Sequence, residues 1–183
     1  MKMRPIEKRF VNSARHSSRV ATQTVERLRL ADPQPGQRLL DVGCGNGAAA
    51  ILAATTLGLD AVGVDIDPDQ IEAANTDPAR PAGVTFLVAD ATALPFRDGE
   101  FDLVYSNKTT HHIPDWPQAL AEMARVLKPG GRLLYSDFVA PFGHRFPTRS
   151  GVDAEAAANQ LQRLRHSSSP ANYTAQFTKD GAR

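Results

Sequence analysis

The run Leu39-Leu40-Asp41-Val42-Gly43-Cys44-Gly45-Asn46-Gly47 constrains this chain more than any other stretch. Two leucines and a valine make a short buried strand. An acid sits near its end, and glycines follow at alternate positions. The alanines at 48, 49, 50, 53 and 54 then open a helix. A strand, turn and helix of this kind leaves unpaired backbone N–H groups at a helix N-terminus, beside a loop without Cβ atoms. Part of a ligand can lie directly on that backbone. Gly43-x-Gly45-x-x-Ala48 also fits a dinucleotide fingerprint, and a plain tight turn fits as well. Asp41 decides against a pyrophosphate. A carboxylate there repels phosphate and suits an ammonium group, so a nucleoside with an amino-acid tail fits better than a dinucleotide.

Four more apolar runs follow: Ala61–Asp65, Val84–Asp90, Phe101–Asn107 and Arg132–Phe138. Asp65 lies 24 residues after Asp41. That is close to the spacing of about 20 residues at which a second-strand acid meets ribose hydroxyls. Asp90 is placed to accept from an adenine amino group, with the Ala91 backbone beside it. In open α/β sheets, ligands bind outside the carboxyl ends of the strands. Acids at 41, 65 and 90, with Asn107 on the fourth run, therefore suit one ligand.

The ordered phrases LLDVGCGNG, AVGVDIDP, VADATALPF, FDLVYSNKTTHHIPD and MARVLKPGGRLLYSDF resemble the class I S-adenosylmethionine-dependent methyltransferases. The resemblance is to the small-molecule branch that includes quinone-biosynthesis enzymes, and it covers roughly Gln37 to Phe138. It implies an α/β, Rossmann-like, mostly parallel sheet with helices on both faces, seven strands in the usual family member. It also implies S-adenosylmethionine as cofactor, with S-adenosylhomocysteine as product. The cofactor-binding set it implies is Asp41, Gly43, Cys44, Gly45, Asp65, Ile66, Asp90, Ala91 and Asn107. Glu7–Ser13 is similar to a phrase that precedes the glycine loop in some members. There it would act as a lid, with Asn12 bonding the methionine carboxylate and Arg15 or Arg19 pairing with it. A surface helix cap at Asn12 or Ser13 is the competing reading.

The chemistry is displacement at a methyl carbon, in which the cofactor already carries the activation. A base is needed only when the acceptor must lose a proton. Its candidates are His111 and His112, in the loop after the fourth run. Adjacent histidines face opposite ways, so one at most faces a pocket, and packing or capping competes with catalysis for either. The His111-His112 spacing does not suit zinc, and no metal is expected. Asp115 reads as the cap of the next helix. Cys44 reads as a small residue packed in the turn; nothing beside it in the sequence is a base.

At 183 residues, 42% hydrophobic and 22% charged, the chain reads as one globular domain. Its parts are a basic helical lid over 1–36, a cofactor core over 37–138 and a divergent segment over 139–183. A single cysteine excludes an internal disulfide. No apolar stretch approaches a membrane span and the basic start lacks a secretory h-region, so a cytoplasmic location is expected. Net charge is +1, but residues 1–30 carry +6, 31–140 carry −8 and 141–183 carry +3. An acidic middle suits a sulfonium cation. Basic ends suit solvated helix faces, or an acidic partner such as RNA.

The expected partner is a small-molecule methyl acceptor. An RNA or protein methyltransferase is one alternative, although no nucleic-acid module is recognisable. Asn107-Lys108-Thr109-Thr110 also lacks the Asn-Pro-Pro-aromatic pattern of planar-amine methylation. A cofactor-binding protein without transfer activity is the other alternative. Helices are expected over Ser13–Leu30, Pro68–Asn75 with Asp67 as its cap, Pro117–Leu127 and Val152–Arg165. After Phe138 only Tyr173–Thr178 alternates as a strand should. The expectation is therefore six strands or fewer, with the C-terminal strands shortened or partly missing. An unpaired edge of that kind would favour a homodimer.

Overall fold

The computed structural model describes residues 14–139 and 146–181, with side chains from Ser17 onward. The chain is of the α/β class, with seven strands in mostly parallel pairing. It divides into two compact units between Val88 and Ala89.

The first unit begins with α1 (Ala14–Arg29), whose Ala21, Thr24, Val25 and Leu28 are buried. β1 (Arg38–Val42) leads through the glycine turn into α2 (Ala48–Leu57). β2 (Asp60–Asp65) pairs parallel with β1, Leu40 lying opposite Val62. α3 (Pro68–Thr76) starts at Asp67, whose carboxylate accepts from the Asp69 N–H at 3.1 Å, with Pro68 at the first helical position. β3 (Thr85–Val88) pairs parallel with β2, so the strand order in this unit is β3-β2-β1. Leu39, Leu40, Val42, Ala61, Val64 and Phe86 form its core.

The second unit carries β4 (Phe101–Asn107), α4 (Trp116–Val126), β5 (Leu127–Phe138), α5 (Arg149–Ala158), β6 (Leu161–Ser169) and β7 (Asn172–Lys179). β4 and β5 are parallel; β7 is antiparallel to β5 and to β6, in the order β4-β5-β7-β6. Asp115 caps α4, accepting from the Gln118 N–H at 3.3 Å. Lys128–Gly131 is absorbed into β5 as an irregularity opposite Phe101 and Leu103. Arg125 ties the 94–98 loop to α4. It donates to the Phe96 and Leu94 carbonyls, to Asp98 and to Glu122, while Glu122 accepts from the Leu94 N–H.

The C-terminal strands are neither missing nor shortened. β6 spans nine residues and β7 eight, so the expected sheet of six or fewer strands is corrected to seven. The helix expected over Val152–Arg165 ends at Ala158 because Gln160 adopts φ +61°. That left-handed residue cannot continue a right-handed helix. Leu161 is buried while the rest of β6 is exposed. Its polar residues are held by backbone pairing with β7, and Arg163 is bonded to Asp153 and Tyr173. Among the described residues, no helix is long and apolar enough to cross a membrane.

Candidate active site

The first unit supplies a cradle. β1 ends in Asp41 and Val42, and the chain then crosses the C-terminal end of β2. The Gly43 and Cys44 N–H groups both donate to the Val64 carbonyl, at 2.8 and 3.0 Å. Gly45 adopts φ +55° and its N–H donates to Asp65 Oδ2 at 2.9 Å. Asp65 Oδ1 accepts from the Asp67 N–H at 3.0 Å. The Asp65 carboxylate therefore braces the turn from the neighbouring strand. A carboxylate offers about four acceptor sites, and the backbone N–H groups of Gly45, Ile66 and Asp67 use three. Room remains for a ligand hydroxyl.

Asp41 is only 4% exposed. Burial, and then the charge of Asp65, push its carboxyl up to about 7. Asp65 is also raised by burial, against the pull of its backbone donors. Two acids whose charges are disfavoured so close together are relieved by a cation. The cradle thus fits a ligand that brings an ammonium group and a hydroxyl, and the glycine turn leaves it room. Cys44 is buried and its thiol is raised well above its usual range, by burial first and then by Asp41 and Asp65. It packs the turn rather than acting as a thiolate. Ile66, beside Asp65, is more than half exposed. Asn46 joins the turn to α1 through Ser17 Oγ at 3.1 Å. Arg19 is exposed on α1, while Asn12 and the Arg15 side chain lie outside the described residues.

The second unit holds the other predicted residues. Asp90 follows β3 and is exposed; its Oδ1 accepts from the Thr92 N–H and hydroxyl at 2.9 and 2.8 Å. Ala91 is buried beside it. Asn107 ends β4. Lys108 follows in a left-handed conformation, φ +55°, with its ammonium 3.9 Å from the centroid of the Phe138 ring.

The histidines lie in a 3-10 turn, Thr110–His112; they do not face opposite ways as expected, because the tight turn brings their rings together. His111 Nδ1 is 2.5 Å from Asp137 Oδ1. Asp137, near the end of β5, is buried and surrounded by donors. The Thr110 hydroxyl and the His111 N–H reach Oδ2 at 2.5 and 3.1 Å, and the Phe138 N–H reaches Oδ1 at 2.7 Å. Thr110 in turn takes the Tyr135 hydroxyl at 2.5 Å. A carboxylate ringed by donors acts as acceptor only. In the neutral imidazole the proton therefore sits on Nδ1, which leaves the lone pair on Nε2. The His111 ring is 15% exposed and meets the Phe138 ring edge-on at 5.1 Å. His112 stacks on His111, with ring centroids 3.8 Å apart. Tyr135 is held protonated, by burial first and then by the charge of Asp137.

Sequence reasoning missed Asp137, although the signal was present: the fifth apolar run also carries an acid near its end, like the first three.

The family described as "Methyltransferase domain" matches residues 40–135. The 27-O-demethylrifamycin SV methyltransferase of Amycolatopsis mediterranei is 42% identical over 135 residues, 70% of this chain and 47% of that protein. The 2-methyl-6-phytyl-1,4-hydroquinone methyltransferase of Synechocystis sp. is 39% identical over 104 residues, 57% of this chain and 33% of that protein. The chain spans about half the length, or less, of these curated relatives. Among solved structures, phosphoethanolamine N-methyltransferase 2 of Haemonchus contortus, in complex with S-adenosyl-L-methionine, superposes with a TM-score of 0.80. It is 18% identical, and the match covers 94% of this chain and 60% of that one.

Proposed function

The chain belongs to the class I S-adenosylmethionine-dependent methyltransferases, and from that premise we propose that it methylates a hydroxyl of a small molecule, with His111 as the base. The observation that carries the acceptor half is the His111–Asp137 pair. A lone pair fixed on Nε2 by a buried carboxylate on Nδ1 is of use where a proton must leave the acceptor. The cofactor, when bound, supplies a methyl group on a positively charged sulfur.

The chain's own residues do the rest. Asp41 takes the ammonium of the cofactor's amino-acid tail. Asp65 takes a ribose hydroxyl, beside Ile66, and the turn Gly43-Cys44-Gly45 carries the tail on its backbone. Asp90, Ala91 and Asn107 complete the cofactor contacts. Holding the acceptor oxygen in line with the breaking bond, away from water, is worth about 7–11 kcal/mol in well-oriented reactions. His111 Nε2 would take the hydroxyl proton as the acceptor oxygen displaces the methyl group from sulfur, which would leave as the neutral thioether. Asp137 keeps the ring in its working tautomer and stabilises the imidazolium. His112 packs on His111 and has no proton-transfer role.

Calorimetry with S-adenosylhomocysteine tests the first half; a protein that binds NAD and not S-adenosylhomocysteine overturns it. The acceptor is found by profiling metabolites of a strain lacking the protein, with methyl-labelled cofactor. With that acceptor, His111→Gln is expected to lower kcat by about 10²–10⁴-fold, the range for a positioned base. Its S-adenosylhomocysteine affinity should stay near that of the parent. His112→Gln should keep most of the activity. Full turnover by the His111 variant removes the base from the reading.

A further inference from the structure

Gln70, in α3, is 1% exposed, yet neither Nε2 nor Oε1 has a hydrogen-bond partner among the described residues. A buried amide without partners is unfavourable by the full desolvation of its donor and acceptor. Such a group persists where something else, such as a ligand-dependent contact, uses it. Its position is informative. A Cβ on Gly45 would lie 3.9 Å from Gln70 Oε1, so the amide sits directly behind the middle residue of the glycine turn. The two ends of a carboxamide are interchangeable by rotation, so either a donor or an acceptor can be presented there. The Gly45 N–H is already given to Asp65, while its carbonyl accepts from the Cys44 thiol at 3.6 Å, a weak donor.

We propose that Gln70 is a positioning residue of the cofactor site. Its amide gains a partner, the Gly45 carbonyl, only when the glycine turn settles on the cofactor's tail. The inference rests on the cofactor reading above. The turn is braced on the β2 side, by Asp65 at Gly45 and by the Val64 carbonyl at Gly43 and Cys44. A bound tail presses the turn toward α3, and the Gln70 Nε2–H then donates to the Gly45 carbonyl. The free chain thereby carries a built-in penalty that binding relieves, and part of the affinity comes from a side chain that never touches the ligand.

Two measurements test this. The first uses the wild-type chain and ¹⁵N spectra. The Gln70 side-chain NH2 should exchange more slowly, and its resonance should shift, when S-adenosylhomocysteine is added. The second uses Gln70→Met, which keeps the length and loses the hydrogen bonds. Its unliganded Tm is expected to equal or exceed that of the parent, while its affinity for S-adenosylhomocysteine falls at least tenfold by calorimetry. A merely structural glutamine would move these readouts the other way, with a lower Tm and an unchanged affinity. Equal NH2 exchange and shift with and without S-adenosylhomocysteine, a lower unliganded Tm in the variant, or an unchanged affinity each overturns the inference alone. Failure of the wild-type chain to bind S-adenosylhomocysteine overturns the functional reading and this inference with it.

Discussion

Asp41 holds a proton in the fold that it would release when unfolded. Its carboxyl moves from an ordinary 3.8 to about 7, so between those values the native chain binds more protons than the unfolded one. Stability from this group is fully present below the unfolded value and is lost as pH rises through about 7. A ligand ammonium favours the ionised carboxylate and reverses the trend. Affinity for S-adenosylhomocysteine should therefore rise from about pH 5.5 to about pH 7.5, with a proton released on binding at the lower end. Calorimetry in two buffers of different ionisation enthalpy measures that proton. Asp41→Asn should abolish the release and flatten the profile. Equal release from parent and variant would assign the proton to another group. At His111 and Asp137 it is geometry that selects the tautomer.

At the level of elements, the glycine turn does two jobs that can be separated. Gly47 stands at the N-cap of α2 with φ +77°, and a Cβ there would lie 2.5 Å from Phe86 Cζ. Gly36 has a similar φ, +82°, with nothing within 4 Å. Gly36→Ala should therefore cost only the backbone strain, about 1 kcal/mol or somewhat more. Gly47→Ala should add an overpacking cost of about 1–3 kcal/mol. Urea unfolding of the two variants measures the difference, and equal losses would mean that Phe86 yields freely. β1, β2 and β4 were legible because each is an apolar run bounded by a turn or a polar end, and the Asp67 and Asp115 caps carried their own signatures. β6 was not legible. Its residues are nearly all polar, and Leu161 and Leu164 fall at helical spacing after an alanine-rich segment. What makes it a strand is the left-handed Gln160 and the pairing with β7, a contact distant from anything a local pattern records. Gln70 was hidden for a related reason: on a helix face a glutamine reads as solvated, and only the packed structure shows it buried.

Across the whole molecule, it is the acidic middle of the chain, residues 31–140 at −8, that suits a cationic ligand. The cradle, the His111–Asp137 pair and the extra antiparallel strands are contributed by segments spread over most of the sequence. One feature of that chain supplies its own clock. Cys44 is the only cysteine in 183 residues, and it is buried in the turn that carries the proposed tail. Alkylation by a small reagent can therefore proceed only through moments when the turn opens, and each molecule can be labelled once. The rate of mass gain by intact-protein spectrometry reads the frequency of those openings without any engineered probe. Ligand that binds only the closed turn should slow labelling by the factor 1 + [L]/Kd, so one titration of the rate yields an affinity before any methyl acceptor is known.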